Sequence, residues 1–445
     1  MTMGKTQSVM TTLLVMMVIL ISSGAVNAQQ EPSVTAPFVW SPDSQRLAVG
    51  YADGVRVAAD GVVEWAVETS NPVAGLLFSN DGKTLYGVTS ATDVYAWDVA
   101  TGELQAQTVI TSDLEMPITN VSFVGATDSH FAFAMGSHFP IGVFLLDKEL
   151  NLISQFDTLS YRDGLLIVDN DVLTFHVEGT EIAIQRDFQP IATAALQQPL
   201  SSPFSMVRVS GNGQYLFVQA AEDAPLEVFE TTNGERIMTL PSTSSLQISA
   251  TSGDCLTYSN SQGQKVFYNL STGELVAQYP DSELIVGQGG YLHDDGQTFT
   301  LVRLDDCTVH TLNIVIDKIQ FPFLRFAIGN DKVAMFMTQM TQSISYPTEA
   351  IIYDLAGETS VRTEVPSMES FSGTSIVFKS NKVFYAVSSG ILVLDTETGE
   401  IVHQQLMEVS YPWITLSPDG RAYAYPDLNN VIIRQLDGSE QVIVP

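Results

Sequence analysis

The chain of 445 residues repeats a two-part sequence pattern about every 42 residues. In the first part, an apolar residue precedes Ser-x-Asp-Gly, as at residues 78–82 and 416–420. In the second part, alternating apolar residues precede Asp-x-x-Thr-Gly-Glu, as at residues 95–103 and 392–400. Glycine in these positions adopts positive φ at little cost, so both parts are typical of tight turns between short strands.

The glycine of the second part counts the repeats. It occurs at Gly61, Gly102, Gly234, Gly273, Gly357, Gly399 and Gly438. The intervals are 41, 132, 39, 84, 42 and 39 residues, and the two longest fit three units and two units. Nine intervals therefore separate ten units. Their approximate limits are 38–70, 73–110, 118–156, 162–196, 204–241, 245–280, 284–317, 320–366, 371–408 and 412–445.

A repeat of this length, made of short apolar runs and turns, predicts an all-β fold with almost no helix. We predict a β-propeller of four-stranded antiparallel blades, with ten quasi-repeats in one ring of eight to ten blades. Known rings usually have four to eight blades, so a smaller count and two coupled rings stay open. Unit four has residues 188–190 in place of its glycine turn, and the last strand of unit seven is hard to place after Cys307. Residues 29–37 are candidates for an edge strand that joins the last blade and closes the ring.

Residues 1–28 have the features of a signal peptide. Lys5 gives a positive start, residues 9–26 are mostly apolar, and Val-Asn-Ala precedes Gln29 at an expected cleavage site. We therefore expect a signal peptide followed by one propeller domain at residues 29–445, which is secreted to a periplasmic or extracellular location. If it is not cleaved, the apolar segment is long enough to act as a membrane anchor.

The charge balance excludes some classes of partner. The chain has 50 acidic and 19 basic residues, which gives a formal net charge of −31. Nucleic acids and anionic membrane surfaces are recognised through Lys and Arg patches, so neither is an expected partner. The acidic charge favours either solubility outside the cell or capture of a basic partner or of cations.

The two cysteines, Cys255 and Cys307, fall in neighbouring units. Because export implies an oxidising compartment, they are candidates for a disulfide. Two separate buried thiols are the alternative, since the repeat does not place both residues in equivalent strands.

The acids of the second turn have an expected structural role. An Asp in a turn accepts hydrogen bonds from backbone N–H groups of that turn, and Thr hydroxyls cap it. We therefore assign Asp98, Asp395, Glu103 and Glu400 to turn chemistry rather than to a ligand.

No motif for catalysis, cofactor binding or metal binding is present. The sequence lacks Gly-x-Ser-x-Gly, Gly-x-Gly-x-x-Gly and Walker loops, so we predict no catalytic residue and no cofactor. A central calcium ion held by acids from several blades would leave no linear motif, and it stays open. The six histidines lie in different units without ligand spacing, and we assign them to strands and loops. They are His130, His138, His176, His293, His310 and His403.

Longer loops suggest where a partner could bind. The second-to-third-strand loops at residues 135–140 and 338–349 are longer than the others, and the inter-blade loop at 111–117 is expected on the same side. Exposed Met and aromatic residues beside acids suit a protein or peptide partner. The predicted binding-face residues are Asp113, Glu115, Met116, His138, Phe139, Met340 and Tyr346.

The repeats resemble two related groups of propellers. Residues 40–43 and 416–421 are similar to the Ser-Pro-Asp-Gly turns of WD40-type and TolB-type repeats. Residues 94–103 are similar to the repeat of PQQ-dependent quinoproteins and their non-catalytic relatives, although Leu104 stands near the position where that repeat has a Trp. The adjacent cysteine pair of alcohol-oxidising quinoproteins is also missing. The resemblance implies a propeller over nearly the whole mature chain, and it implies no site residues because the matching positions are turn formers.

Three functions are compatible with these observations. The leading hypothesis is an exported, non-enzymatic propeller that binds a protein or peptide as an interaction module of the envelope or extracellular space, with no membrane contact after signal cleavage. The alternatives are a propeller enzyme or sugar-binding protein that uses a central cation or quinone, and a membrane-anchored extracellular sensor.

Overall fold

The computed structural model describes most of the repeat region. The described residues are 34–110, 120–136, 140–157, 163–168, 170–200, 206–221, 224–241, 253–260, 262–314, 316, 323–341, 344–366, 368, 375–387, 389–406, 414–427 and 430–443. They form ten antiparallel sheets, each built from one continuous stretch of chain, which we number as blades 1 to 10. The predicted all-β propeller is confirmed, and its blade count is ten.

The strands are numbered in chain order. Blades 1 to 3 contain β1 Val34–Trp40, β2 Arg46–Tyr51, β3 Gly54–Ala59, β4 Val62–Glu68, β5 Val73–Phe78, β6 Thr84–Thr89, β7 Asp93–Asp98, β8 Leu104–Val109, β9 Asn120–Ala126, β10 His130–Gly136, β11 Pro140–Asp147 and β12 Leu152–Asp157. Blades 4 to 6 contain β13 Asp163–Val168, β14 Asp171–Glu178, β15 Glu181–Arg186, β16 Gln189–Ala195, β17 Met206–Val209, β18 Tyr215–Gln219, β19 Leu226–Glu230, β20 Arg236–Leu240, β21 Cys255–Ser259, β22 Gln264–Asn269 and β23 Glu274–Pro280.

Blades 7 and 8 contain β24 Leu284–Gly287, β25 Gly290–Asp294, β26 Phe299–Arg303, β27 Val309–Leu312, β28 Phe323–Ile328, β29 Lys332–Thr341, β30 Ile344–Asp354 and β31 Thr359–Glu364. Blades 9 and 10 contain β32 Ser375–Lys379, β33 Lys382–Val387, β34 Gly390–Asp395, β35 Ile401–Leu406, β36 Thr415–Leu416, β37 Ala422–Asp427, β38 Asn430–Gln435 and β39 Glu440–Ile443. Blade 6 has three strands among the described residues, and a single 3-10 turn, Asp281–Glu283, precedes blade 7.

The first strand of each blade lies innermost and the fourth lies at the outer edge. First strands of neighbouring blades contact each other, as β1 does with β5 and β24 with β28. Between β24 and β28 the contact is a short parallel bridge, in which the Gln288 N–H donates to the Phe326 carbonyl over 3.1 Å. Fourth strands such as β8 and β31 have mostly exposed residues. The four strands of a blade therefore run from the ring axis outwards.

The hydrophobic core is divided among the junctions between blades. The buried apolar residues of the described chain form ten clusters, each joining two neighbouring blades. Between blades 1 and 2, for example, Val57 packs with Leu85 and Trp97. One blade has two apolar faces and buries them only between two neighbours, as expected for repeat architectures.

Neighbouring blades are also joined where the third-to-fourth turn of one blade contacts the fourth strand of the blade before it. The Trp65 indole N–H donates to the Val99 carbonyl over 2.9 Å, and a Cβ at Gly102 would lie 2.7 Å from the Trp65 ring. In blade 9, the Thr363 hydroxyl donates to the Gly399 carbonyl over 2.7 Å. At position 102, glycine is thus required by the positive φ of 73° and by the Trp65 side chain.

The ring closes by packing between blades 10 and 1. Val49 of β2 packs with Ile433 of β38, and a Cβ at Gly61 would meet the Gln441 side chain at 2.4 Å. In addition, the Asp419 N–H donates to the Ser44 hydroxyl over 3.0 Å. The last junction therefore uses the same kind of turn-to-strand contact as the others.

The predicted role of residues 29–37 as an edge strand of the last blade is wrong for the part that the structure describes. Within β1, Val34 pairs with Tyr51 of β2, so the strand is the first strand of blade 1. Blade 10 obtains its four strands from residues 415–443. The five-residue turn after Trp40 places β1 beside β2 with a short loop to close, which favours this pairing over one with a distant blade.

Candidate interaction face

The ring has two faces that differ in their connections. The face that we call the turn face carries the first-to-second and third-to-fourth turns of every blade. The face that we call the loop face carries the second-to-third loops and the connections between blades. The binding residues predicted from the sequence were expected on the loop face.

Most of those predicted residues lie outside the described part of the chain: Asp113, Glu115, Met116, His138 and Phe139. The other two, Met340 and Tyr346, lie in the paired strands β29 and β30, opposite Ser345 and Gln339 respectively. The structure therefore shows an extended hairpin where the sequence analysis predicted a loop at 338–349.

This hairpin continues beyond the rest of blade 8. Strand β28 pairs with β29 only as far as Thr338, whereas the pairing of β29 with β30 continues to Thr341 and Ile344. The register shifts between Met337 and Thr338, where the extension begins. The segment was predicted to be a long loop, but Thr, Ile and Tyr are strand formers and sustain the pairing.

On the loop face, the carboxylate of Asp93 is committed to structure. Its Oδ2 accepts hydrogen bonds from Asn71 at 2.9 Å, Thr89 at 3.0 Å and Ser70 at 3.1 Å. Asp93 is only 9% exposed. It holds the connection from blade 1 to the second-to-third turn of blade 2, because a buried carboxylate needs such donors.

On the turn face, the acids of the Ser-x-Asp turns are also committed. The Ser79 hydroxyl donates to Asp81 over 2.7 Å, and the same Asp81 oxygen accepts the Lys83 N–H over 3.0 Å. The Thr84 N–H donates to the Ser79 oxygen over 3.0 Å. The same Ser-to-Asx hydrogen bond recurs in blades 1, 5 and 10. The pairs are Ser41 with Asp43, Ser210 with Asn212, and Ser417 with Asp419.

The predicted turn chemistry is confirmed for Asp98 and Asp395. The Asp395 Oδ1 accepts the backbone N–H groups of Glu397 at 2.8 Å and Thr398 at 3.0 Å. The Thr398 N–H is the main cause that holds the pKa of Asp395 below its usual value. Asp98 accepts two N–H groups of its own turn in the same way, each over 2.9 Å.

The same prediction is wrong for the carboxylates of Glu103 and Glu400. Their backbone N–H groups donate to Thr101 and Thr398, each over 3.2 Å. Among the described residues, however, neither carboxylate has a hydrogen bond or an ion pair, and both side chains are exposed. Within one turn, the Asp stabilises the backbone and the Glu faces solvent.

This exposed acid recurs around the ring. Every blade has an exposed Asp or Glu in its third-to-fourth turn or at the start of the strand that follows. We call these ten residues the acidic rim: Asp60, Glu103, Glu149, Asp187, Glu235, Glu274, Asp305, Glu358, Glu397 and Asp437. The rim places negative charge around the whole turn face.

Exposed aliphatic side chains follow the acidic rim. In eight blades, a Val, Leu or Ile near the start of the last strand is exposed, and Val62 reaches 68%. We call these residues the aliphatic belt: Val62, Leu104, Leu152, Ile191, Ile237, Leu275, Val309 and Val402. Beside the acidic rim, these side chains offer apolar area that a partner could bury on contact. Sequence reasoning missed this pairing, although the pattern Gly-Glu-Leu at residues 102–104 and 273–275 carries it.

His293 and His403 each contact a tyrosine in a strand of a neighbouring blade. The His293 Nε2 lies 3.0 Å from Glu283, and its ring stacks on Tyr279. The His403 Nε2 lies 3.0 Å from the Tyr423 hydroxyl, and burial lowers the pKa of His403. Over the residues that the structure describes, no group of three or more His, Cys, Asp or Glu residues is arranged to hold a metal ion.

The two cysteines form a disulfide between blades 6 and 7. Cys255 begins β21, Cys307 lies in the turn before β27, and their Cα atoms are 4.6 Å apart. Both belong to the buried cluster between these blades, where they pack near Phe267 and Tyr291. The bond adds a covalent link to one junction of the ring.

Within the described ranges, no helix has the length and hydropathy needed to cross a bilayer.

Comparisons with known proteins found similarity at the level of fold. No protein-family model matches the chain, and no curated protein matches it. Among solved structures, a eukaryotic initiation factor is 13% identical with a TM-score of 0.48, covering 81% of this chain and 96% of its own. BamB from Moraxella catarrhalis is 14% identical with a TM-score of 0.38, covering 80% and 95%. The C-terminal WD40 domain of Sif2 is 14% identical with a TM-score of 0.36, covering 80% and 94%.

Proposed function

We propose that this chain is an exported, non-enzymatic β-propeller that binds a basic protein partner on its turn face. The observation that carries the proposal is the acidic rim with its neighbouring aliphatic belt. One exposed carboxylate per blade attracts a basic surface over long range, and the apolar side chains beside it supply area that is buried on contact.

Two features support the proposed location outside the cytoplasm. Residues 1–28 have the pattern of an export signal, and a disulfide persists best in an oxidising compartment. The same acidic charge supports the proposal that the partner is neither a nucleic acid nor an anionic membrane.

The experiment compares two variants that each lose four negative charges. The rim variant carries Glu103→Gln, Glu235→Gln, Glu274→Gln and Glu358→Gln. The control variant carries Glu68→Gln, Glu178→Gln, Glu181→Gln and Glu364→Gln, all on the loop face. All eight residues are exposed.

Each tagged full-length protein is used to capture partners from the native envelope and secreted fractions, with and without chelator. We expect the wild type and the control variant to capture the same basic protein, and the rim variant to capture about tenfold less of it, as expected when several rim charges are lost. Equal capture by both variants would refute the proposed face. A chelator-sensitive turnover of a small molecule, with no captured protein, would favour the enzyme hypothesis instead.

A further inference from the structure

A groove of about 640 Å³ crosses the turn face over blades 7, 8 and 9. It exists because the first-to-second turns of these blades are short. They consist of two residues at 288–289, three at 329–331 and two at 380–381. The corresponding turns of blades 1, 2, 5 and 10 have five residues. The missing residues leave an open space that the longer turns would otherwise fill.

The groove has apolar and glycine-rich walls. Ile328 and Phe378 line it together with Gly289 and Gly329. A Cβ at Gly329 would lie 2.8 Å from the Phe378 ring, and a Cβ at Gly289 would lie 3.4 Å from Ile328. Side chains at these two turn positions would therefore crowd the aromatic ring and the aliphatic chain that line the groove.

One carboxylate of the groove has no hydrogen bond or ion pair among the described residues. Lys332 lies 3.2 Å from Asp354 and 3.4 Å from Glu397, and its side chain is only 12% exposed. Burial acts to lower the pKa of Lys332, but Asp354 and Glu397 outweigh it and raise that pKa above its usual value. Asp305 is held by Arg303 over 3.0 Å. The carboxylate of Asp331 has no hydrogen bond or ion pair with any described residue, although its charge interacts with that of Arg303 through space, and Asp331 is exposed.

We propose that this groove receives an arginine side chain of the basic partner. The guanidinium would stack on the Phe378 ring and donate hydrogen bonds to the Asp331 carboxylate, and its alkyl stem would pack on Ile328. Arginine fits better than lysine because its planar group both stacks on aromatic rings and binds a carboxylate through two N–H groups. Gln288, Asn330 and Asn381 line the same space, and a side-chain amide oxygen is able to accept the remaining N–H groups. This inference rests on the proposed function, since it names one contact of the same face.

The test uses three short peptides that differ at one residue. Acetyl-Gly-Ser-Arg-Ser-Gly-amide is compared with the same peptide carrying lysine or neutral citrulline, by saturation-transfer NMR titration against the full chain. Binding is measured for the wild type, for Asp331→Asn and for the control Asp60→Asn. Both substitutions remove one exposed turn-face carboxylate, and Asp60 lies outside the groove. Equal melting temperatures verify that the variants are folded.

We expect saturable binding of the arginine peptide to the wild type, weakened about tenfold by Asp331→Asn and less than about twofold by Asp60→Asn. The citrulline peptide should bind about tenfold more weakly than the arginine peptide. The inference is overturned by an absence of saturable binding, by equal effects of the two substitutions, or by equal binding of the lysine or citrulline peptide. After any of these outcomes, the proposed function still holds if the rim variant captures less of the partner than the wild type does. The two proposals therefore fail separately.

Discussion

The two acidic residues of one turn, an Asp before it and a Glu after its glycine, have different roles in this protein. Asp98 accepts backbone N–H groups, whereas Glu103, one residue beyond the glycine, has an exposed carboxylate without a described partner. The residue types of the turn could be predicted from the sequence, because positive φ and Asx-type hydrogen bonds select Gly and Asp. The direction of the Glu side chain could not be predicted, because its longer chain can reach either the turn or the solvent.

At this scale, we predict that Gly102→Ala destabilises the fold more than Gly179→Ala does. Both glycines have positive φ, of 73° and 62°, but a Cβ meets the Trp65 ring at position 102 and nothing within 4 Å at position 179. The conformational cost is about 1–2 kcal/mol in both cases, and the steric contact adds about 1–3 kcal/mol at Gly102. Thermal unfolding followed by circular dichroism at a fixed scan rate measures the difference.

A double-mutant cycle separates the two causes. Introducing Gly102→Ala into a Trp65→Ala background should recover the steric part of its cost and leave the conformational part. If the two substitutions are simply additive, the contact with Trp65 does not explain the glycine.

At the level of strands and blades, the repeat predicted most of the fold. The fifth unit was placed at residues 204–241, and the strands of blade 5 extend from Met206 to Leu240. The irregular units proved to be true blades whose turns use other residues at positive φ: Asp187 and Phe188 in blade 4, and Cys307 in blade 7. A glycine-based count could not identify these turns, because residues with side chains adopt positive φ only where packing compensates for the strain.

The disulfide gives a prediction for one junction. It closes a separation of 52 residues, so the chain-entropy relation gives a contribution of at most about 4 kcal/mol. We expect the double substitution Cys255→Ala and Cys307→Ala to lower the melting temperature. Dithiothreitol should lower that of the wild type to the same extent and leave the variant unchanged. A wild type that melts at the same temperature with and without dithiothreitol would contradict this contribution.

For the whole molecule, closing a ring of ten blades requires packing angles that the sequence period does not specify. Ten blades divide the circle into steps of about 36°. Each step depends on the sizes of the side chains at one junction, such as Val57 against Trp97 or Phe336 against Tyr385. The sequence period specifies the blade but carries little information on this angle, which explains why eight to ten blades stayed open. The groove of blades 7 to 9 could not be predicted for the same reason, since three short turns form it only when the ring brings them together.

The net charge of −31 gives a prediction for the whole ring. Like charges on a compact surface repel, and salt screens them over about 10 Å at 0.1 M. We expect the melting temperature to rise by several degrees between about 10 mM and 300 mM sodium chloride. Chloride is used because sulfate also strengthens apolar burial and would confuse the comparison. A melting temperature that falls with added chloride would show that the ion pairs outweigh the repulsion.

Because the ring closes without exchanging strands between blades, it can gain or lose one blade at a time. Since every blade is one uninterrupted stretch of chain, duplicating or deleting a stretch of about 42 residues adds or removes a complete blade. The new neighbours meet through the same kind of turn-to-strand joint as the old ones. The diameter of the central opening can then change by one blade at a time during evolution, and the number of rim carboxylates changes with it. The junction between blades 10 and 1 keeps its contacts.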